Sequence, residues 1–243
     1  MKFLLVVNPQ SGKKQSAKIL DLVKPVFDSQ GVEVSIIRTD FPGHARDLAM
    51  SSDLDGYAGF LVLGGDGTFN EVVNGMFARS DGQTFPIGLI PGGSGNSLLH
   101  DLDLVDPVAA ADAIVAGHTR LIDAAQIQMN GNEQYSTNLI GWGLVTDVGA
   151  RAEQLRWIGP SRYTAASIIE IFLKKHRQAK LIIDDKAYVE KFTFVVACNS
   201  IHVGNGMKMA PYADLDDGLI DILVVDANIT RLRLLSVLPK LFD

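Results

Sequence analysis

The chain has 243 residues, 47% of them apolar, a formal net charge of −6 and a single cysteine. That length supports one large or two modest domains with ample core. The acidic balance argues against a nucleic-acid binder with a broad basic surface, and the lone Cys198 excludes intrachain disulfides and cysteine-based zinc sites.

Residues 2–7 read as a buried strand, followed by the turn Asn8-Pro9-Gln10-Ser11-Gly12. Ala17, Ile19, Leu20, Val23, Val26 and Phe27 recur at helical spacing over residues 13–29, with Pro25 as a kink. Val32, Val34 and Ile36 alternate as a strand that leads to Thr39, and a helix follows over residues 43–50. The apolar run 60–63 is a third strand, 86–90 a fourth, and helices begin near Ser97 and at Pro107. Strands alternating with helices predict a parallel sheet covered on both faces, with ligands at the carboxyl ends of the strands.

The pattern changes near Leu121. Residues 122–129 and 134–140 are expected to form a hairpin across Asn130-Gly131-Asn132, and 179–183 with 186–198 a second across Asp184-Asp185. Between them lies a helical stretch, 151–177, broken at Gly159-Pro160; a strand at 219–225 and a helix at 229–241 complete the chain. The expected division is an α/β domain over residues 1–121 and a mostly antiparallel β domain over 122–243. Met1 to Val7 is apolar but short and leads into Asn-Pro-Gln-Ser-Gly, so no signal peptide is expected. No run reaches the roughly 18 apolar residues of a membrane span. The expectation is a cytoplasmic protein that at most rests on a membrane surface.

Chemistry concentrates in Gly64-Gly65-Asp66-Gly67-Thr68-Phe69-Asn70-Glu71. Glycines at this turn are free to adopt φ > 0 and let a ligand approach the backbone. Thr68 is expected as the helix N-cap, with Glu71 at the capping-box spacing. Backbone N–H groups at such a helix start attract phosphate. Asp66 would repel that phosphate unless it takes a proton or holds a metal. The pattern therefore asks for nucleotide phosphate, Mg²⁺ and an acid in one turn. Asn96 is placed either to cap the next helix or to touch a ligand. Lys174, Lys175, His176 and Arg177 read as a solvated helix end with the option of anionic lipid headgroups. His202, Met207 and Met209 suit a lipid pocket or ordinary core, and His44, His100 and His118 read as ordinary.

With these loops placed, the sequence resembles the diacylglycerol kinase and sphingosine kinase superfamily of lipid kinases. Asn8 to Gly12, Gly64 to Thr68, Pro91-Gly92-Gly93-Ser94-Gly95-Asn96 and Leu215-Asp216-Asp217-Gly218-Leu219-Ile220-Asp221 carry the likeness. It implies an α/β nucleotide-binding domain, of the type shared by NAD kinases and diacylglycerol kinases, followed by a β-sandwich domain, with ATP in the cleft. Around the nucleotide it implies Asn8, Thr39, Gly64, Gly65, Asp66, Gly67, Thr68, Phe69, Asn70, Glu71, Gly93 and Ser94. It implies Mg²⁺ near Asp214, Asp217 and the Leu219 carbonyl, and Asp66 as catalytic acid–base.

The stretch from Gly141 to Asp147 and on to Tyr163 is nearer the sphingosine and ceramide kinase branch, which sets Arg156 and Arg162 at the ATP phosphates. The acid that would hold a sphingoid head group falls at Gly149, with Asp147 nearby. The resemblance also implies a C-terminal segment with an Asp-Gly-Glu-like motif beyond the position of Asp243, and the expectation is a second domain incomplete at that end. The implied activity is ATP- and Mg²⁺-dependent phosphorylation of a lipid alcohol, diacylglycerol or a sphingoid base, at a membrane surface. The alternatives are an NAD kinase-like small-molecule kinase and a non-catalytic nucleotide- or lipid-binding fragment.

Overall fold

The computed structural model describes residues 1–204 and 206–242, without the side chains of Arg156 and Pro160. Its contacts divide the chain into two units, residues 1–137 with 202–206, and residues 138–201 with 207–243. The first unit runs β1 (Lys2–Val7), α1 (Ser16–Ser29), β2 (Glu33–Arg38), α2 (His44–Ser51), β3 (Gly59–Gly64), α3 (Asp66–Phe77), β4 (Ile87–Pro91), α4 (Ser97–Asp101), α5 (Pro107–Val115), β5 (Ala125–Met129) and β6 (Asn132–Ser136). The chain continues as β7 (Leu139–Gly143), α6 (Leu144–Gln154), α7 (Arg162–Leu173), β8 (Arg177–Ile183) and β9 (Lys186–Cys198). It then rejoins the first unit for residues 202–206, which hold β10 (His202–Val203). β11 (Met207–Lys208), β12 (Asp221–Asp226) and α8 (Arg231–Val237) belong to the second unit.

The first sheet is wholly parallel, in the order β2-β1-β3-β4. Side chains alternate along a strand, and here both sets are buried. Phe3, Leu5, Val7, Leu61 and Leu63 pack with Leu20, Val23 and Phe27 of α1 and Ala111 of α5. Leu4, Val6, Phe60 and Val62, of opposite parity, are also buried. That accounts for the continuous apolar runs, because a strand buried on both faces has no polar positions to alternate. The order places the switch point between β1 and β3. The crevice at their carboxyl ends is the usual ligand site of such a sheet.

The second unit is built on an antiparallel sheet in which β9 lies between β12 and β7 and also pairs β8. Val196 and Cys198 pack against Ala210 and Ala213, while Leu144, Ile171 and Leu234 form a second cluster. Burial, with the charge of Asp221, pushes the Cys198 thiol up to about 11, so it is a core thiol and not a nucleophile.

Several expectations need correction. The expected strand 134–140 is two strands: β6 closes a hairpin on β5, whereas β7 pairs β9 in the other sheet. The β5–β6 turn is Asn130-Gly131 alone, at φ 53° and 79°, the paired positive values of a two-residue hairpin. The helical stretch begins at Leu144 and is broken where Gly159 takes φ 74°. The last helix ends at Val237 and continues as a 3-10 turn over Leu238–Phe242, since Pro239 has no N–H for an α-helical bond. Pro25 lies inside an unbroken α1.

Candidate active site

Three loops leave the carboxyl ends of adjacent strands: Asn8–Gly12 after β1, Gly65–Asp66 after β3 and Gly92–Asn96 after β4. They are locked together by backbone. Gly92 N–H donates to the Gly64 carbonyl at 2.8 Å, and Asn8 N–H to the Leu63 carbonyl at 3.0 Å. The Asn8 amide donates to Thr68 Oγ1 at 2.8 Å and its oxygen accepts from Gln10 N–H at 2.9 Å. Asn96 closes its own loop on Gly93, with Gly93 N–H donating to its Oδ1 at 3.0 Å.

The glycines are required for space and not for φ. A Cβ on Gly93 would lie 2.5 Å from Gly65 Cα, one on Gly65 2.9 Å from Gly93 Cα, and one on Gly64 2.8 Å from Thr68 Cβ. Gly65 sits at φ −107°, and none of Gly64, Gly65 or Gly67 is in the left-handed region. The expectation of φ > 0 at this turn is therefore corrected. Gly12 does need it, at φ 54°, and its Cβ would strike the Gly92 carbonyl at 2.5 Å. Gly67 is the exception: exposed, with nothing within 4 Å of the position a Cβ would take. The fold leaves that space open above the first turn of α3.

Helix α3 starts two residues before the expected cap. Gly65 is the N-cap, Asp66 the first helical residue, and no side chain caps the end. Thr68 is buried within the first turn, its hydroxyl taken by Asn8. The Thr68–Glu71 capping box consequently does not form. The first-turn N–H groups have no capping side chain, and acceptors are favoured there by the helix dipole.

Asp66 is the half-buried acid of this cluster. Its Oδ1 accepts the Ser97 N–H at 2.6 Å, and its Oδ2 lies 2.5 Å from where a Gly95 Cβ would sit. Burial is the dominant influence and pushes the Asp66 pKa above the ordinary carboxylate range; hydrogen bonds from Ser97 and Asn96 pull the other way. A carboxylate so held is more basic than a solvated one, as a proton acceptor should be.

The other expected nucleotide residues of the first unit divide by burial. Thr39 is half-buried beyond β2, its N–H on the Val7 carbonyl at 3.0 Å. Asn70 and Ser94 are exposed and Glu71 half-buried. Phe69 is only 4% exposed, so it offers a ligand its backbone and not its ring. Sequence reasoning missed Ser97, whose N–H reaches Asp66, and buried Ser11, whose hydroxyl lies 3.5 Å from the Gly65 Cβ position. Their adjacency to the glycine motifs was the available signal.

In the second unit, Arg162 sits 3.9 Å from Glu153 and over the Tyr163 ring. The Arg156 side chain lies outside the described residues. Asp214 and Asp217 are exposed on the turn that follows buried Ala213, and Asp217 Oδ1 accepts the Leu219 N–H at 2.9 Å. Among the described residues no three His, Cys, Asp or Glu side chains group to hold a metal. Asp214, Asp217 and the Leu219 carbonyl are nonetheless all oxygen donors, the chemistry a hard cation takes. The basic run is not simply a solvated helix end. Lys174 donates to the carbonyls of Ala227 and Ile229, and Arg177 Nη2 to both Asp147 oxygens at 2.9 and 3.0 Å.

Known proteins are similar to this chain. Residues 2–127 match the family described as diacylglycerol kinase catalytic domain, and residues 138–243 that described as YegS C-terminal NAD kinase beta sandwich-like domain. The chain belongs to the diacylglycerol kinase catalytic-domain family. It is 28% identical to sphingosine kinase 1 of Arabidopsis thaliana, an alignment covering 100% of this chain and 60% of that protein. It is 31% identical to a diacylglycerol kinase of Mycobacterium tuberculosis, over 99% of this chain and 78% of that one. The crystal structure of a diacylglycerol kinase from Bacillus anthracis str. Sterne superimposes with a TM-score of 0.75 at 25% identity, covering 93% of this chain and 74% of that one. The chain spans 60%, 40% and 23% of the lengths of three plant relatives it matches. Among the described residues no helix is long and apolar enough to cross a membrane.

Proposed function

We propose that the chain is the catalytic core of a lipid kinase that transfers the γ-phosphate of ATP to a hydroxyl of a lipid alcohol. The observation that carries this reading is the meeting of three glycine turns beside one half-buried carboxylate. Gly12, Gly65 and Gly93 leave no room for a Cβ where the loops touch, and Asp66 stands next to them with a raised pKa. The phosphates lie along the N–H groups at the start of α3, over Gly67. The lipid hydroxyl oxygen attacks the γ-phosphorus and its proton passes to Asp66. The bond from phosphorus to the β–γ bridging oxygen breaks, and ADP leaves. Phosphoryl transfer needs little beyond such positioning and charge stabilisation.

Asp214, Asp217 and the Leu219 carbonyl are the residues that would hold Mg²⁺, which when bound supplies neutralisation of phosphate charge. The assignment of Arg156 and Arg162 to phosphate rests on the family likeness. Asp147 has both oxygens engaged by Arg177, which favours an uncharged head group such as that of diacylglycerol over a sphingoid ammonium.

The test is incubation of the full chain with γ-labelled ATP, MgCl₂ and detergent-dispersed diacylglycerol, sphingosine or ceramide, with products separated by chromatography. Label on a lipid is expected, strongest on diacylglycerol. Label on NAD and on no lipid would replace this reading with a small-molecule kinase. ATP binding without transfer to any acceptor would reduce the chain to a binding module.

A further inference from the structure

Asp101 is the last residue of α4, and its side chain is 3% exposed. His202, 101 residues further along the chain, places Nδ1 2.7 Å from Asp101 Oδ1. The His202 backbone N–H approaches the same oxygen at 3.3 Å. A carboxylate oxygen only accepts, so the contact assigns Nδ1 as the donor. The His100 ring stands beside His202, centroids 5.5 Å apart, and Gly206 closes on His100. Residues 202–204 and 206 are thereby held in the first unit, although residues 201 and 207 belong to the second.

The opposite end of α4 is the Ser97 N–H that donates to Asp66. The helix is five residues long, and Ser97, Leu98 and Leu99 are all buried, so it has little freedom to slide. A second connection runs parallel. The Cβ position of Gly95 lies 2.5 Å from Asp66 Oδ2 on one side and 3.4 Å from Gly204 on the other. Gly204 is two residues from His202, so the same segment backs both the helix and the turn that flank the Asp66 carboxylate.

We propose that Asp101 and His202 are positioning residues for Asp66, anchoring the far end of α4 so that the Ser97 N–H stays on the carboxylate. The proposal rests on the reading that Asp66 accepts the lipid proton. A group one ångström out of place loses much of its catalytic advantage, so an anchor here acts on turnover more than on ATP binding.

The test compares His202→Phe, which keeps a ring but no donor, with His202→Asn, which keeps a donor near the Nδ1 position. In the full chain, His202→Phe should lower kcat at least about tenfold, the effect of one hydrogen bond to a charged group. The KM for ATP should change less than about threefold, because the glycine loops are untouched. His202→Asn should recover most of the loss. Amide exchange at Ser97, read by NMR in the same proteins, should accelerate at least about tenfold in the Phe variant and return toward the unaltered rate in the Asn variant. Unchanged Ser97 exchange in a folded Phe variant overturns the proposal, as does equal loss in both variants. The exchange comparison does not depend on turnover, so a chain that phosphorylates no lipid would overturn the kinase reading while exchange still decides this one.

Discussion

The backbone N–H of Ser97, first residue of one helix, donates to the carboxylate of Asp66, first residue of another, at 2.6 Å. Asp66 thus stands at the start of α3 and is gripped by the start of α4. Both placements favour its charged form, and burial disfavours it; burial is the larger effect, so the pKa is raised. The carboxylate keeps a charge that its burial makes costly, the property the proposed proton transfer would use.

That balance predicts opposite effects on rate and stability for Asp66→Asn. Asn keeps an acceptor for Ser97 N–H but cannot take the lipid proton, so lipid phosphorylation should fall at least about 10²-fold. Stability follows from linkage. A folded pKa above the unfolded value contributes stability that is full below the ordinary carboxylate pKa of about 3.9 and is lost as pH rises through the folded value. Above its raised pKa the protein carries the cost of the half-buried charge. Asp66→Asn should therefore melt higher than the unaltered protein at pH 7, and the gap should close as pH is lowered past the raised pKa toward 4. A variant less stable than the parent at pH 7 would show that the hydrogen bonds, and not burial, dominate.

Two glycines of the same site should separate structure from binding. Gly67→Ala meets no atom within 4 Å, and alanine in a helix is favoured over glycine by up to about 1 kcal/mol. It should keep or raise the melting temperature while weakening ATP binding, measured by calorimetric titration, because the methyl enters the space assigned to phosphate. Gly93→Ala brings a Cβ to 2.5 Å from Gly65 Cα and 2.8 Å from Asn96 Oδ1. It should lower both stability and ATP affinity, the stability by roughly 1–3 kcal/mol, as overpacking does. If Gly67→Ala binds ATP as the parent does, the phosphates do not lie over that turn.

Ser94→Ala makes a third case. The residue is exposed at the tip of its loop, so melting should be unchanged. ATP affinity should fall by roughly 1 kcal/mol if its hydroxyl meets the nucleotide, the worth of one hydrogen bond. Equal affinity in parent and variant would remove Ser94 from the site.

The sequence made the parallel sheet legible because strands buried on both faces have no competing period: residues 2–7 and 60–63 are continuous apolar runs. The hairpin across Asp184-Asp185 was legible for a similar reason. Both residues take positive φ, 44° and 67°, which Asp tolerates better than most. The helix cap was misread because capping is a local pattern and Thr68 answers to a partner 60 residues away, Asn8. The glycine motif was found, but for a reason only the fold corrects: Gly65 is bare because the Gly93 backbone touches it, Gly64 because Thr68 packs on it, and Gly67 faces open space. Asp101–His202 and Asp147–Arg177 were invisible, since tertiary pairing leaves no periodicity in the chain.

The second unit carries an ion pair whose two halves should respond unequally. Glu170 is 3% exposed, its Oε1 accepts from Arg151 Nε, and its Oε2 has no hydrogen-bond partner among the described residues. Arg151 is 31% exposed and reaches water. Removing the arginine leaves a buried carboxylate without its counter-charge; removing the glutamate leaves a cation that solvent can hold. Arg151→Met should therefore destabilise by about 3 kcal/mol or more, the cost of breaking a buried pair from one side. Glu170→Leu should cost much less, and the double substitution should recover most of the loss, since an apolar pair of similar volume often replaces a buried ion pair without penalty. Both tryptophans, Trp142 and Trp157, lie in this unit, so their fluorescence in a urea titration reports its unfolding directly. Equal midpoint shifts for the two single substitutions would mean that water already shares the pair and that Glu170 is not held as a buried charge.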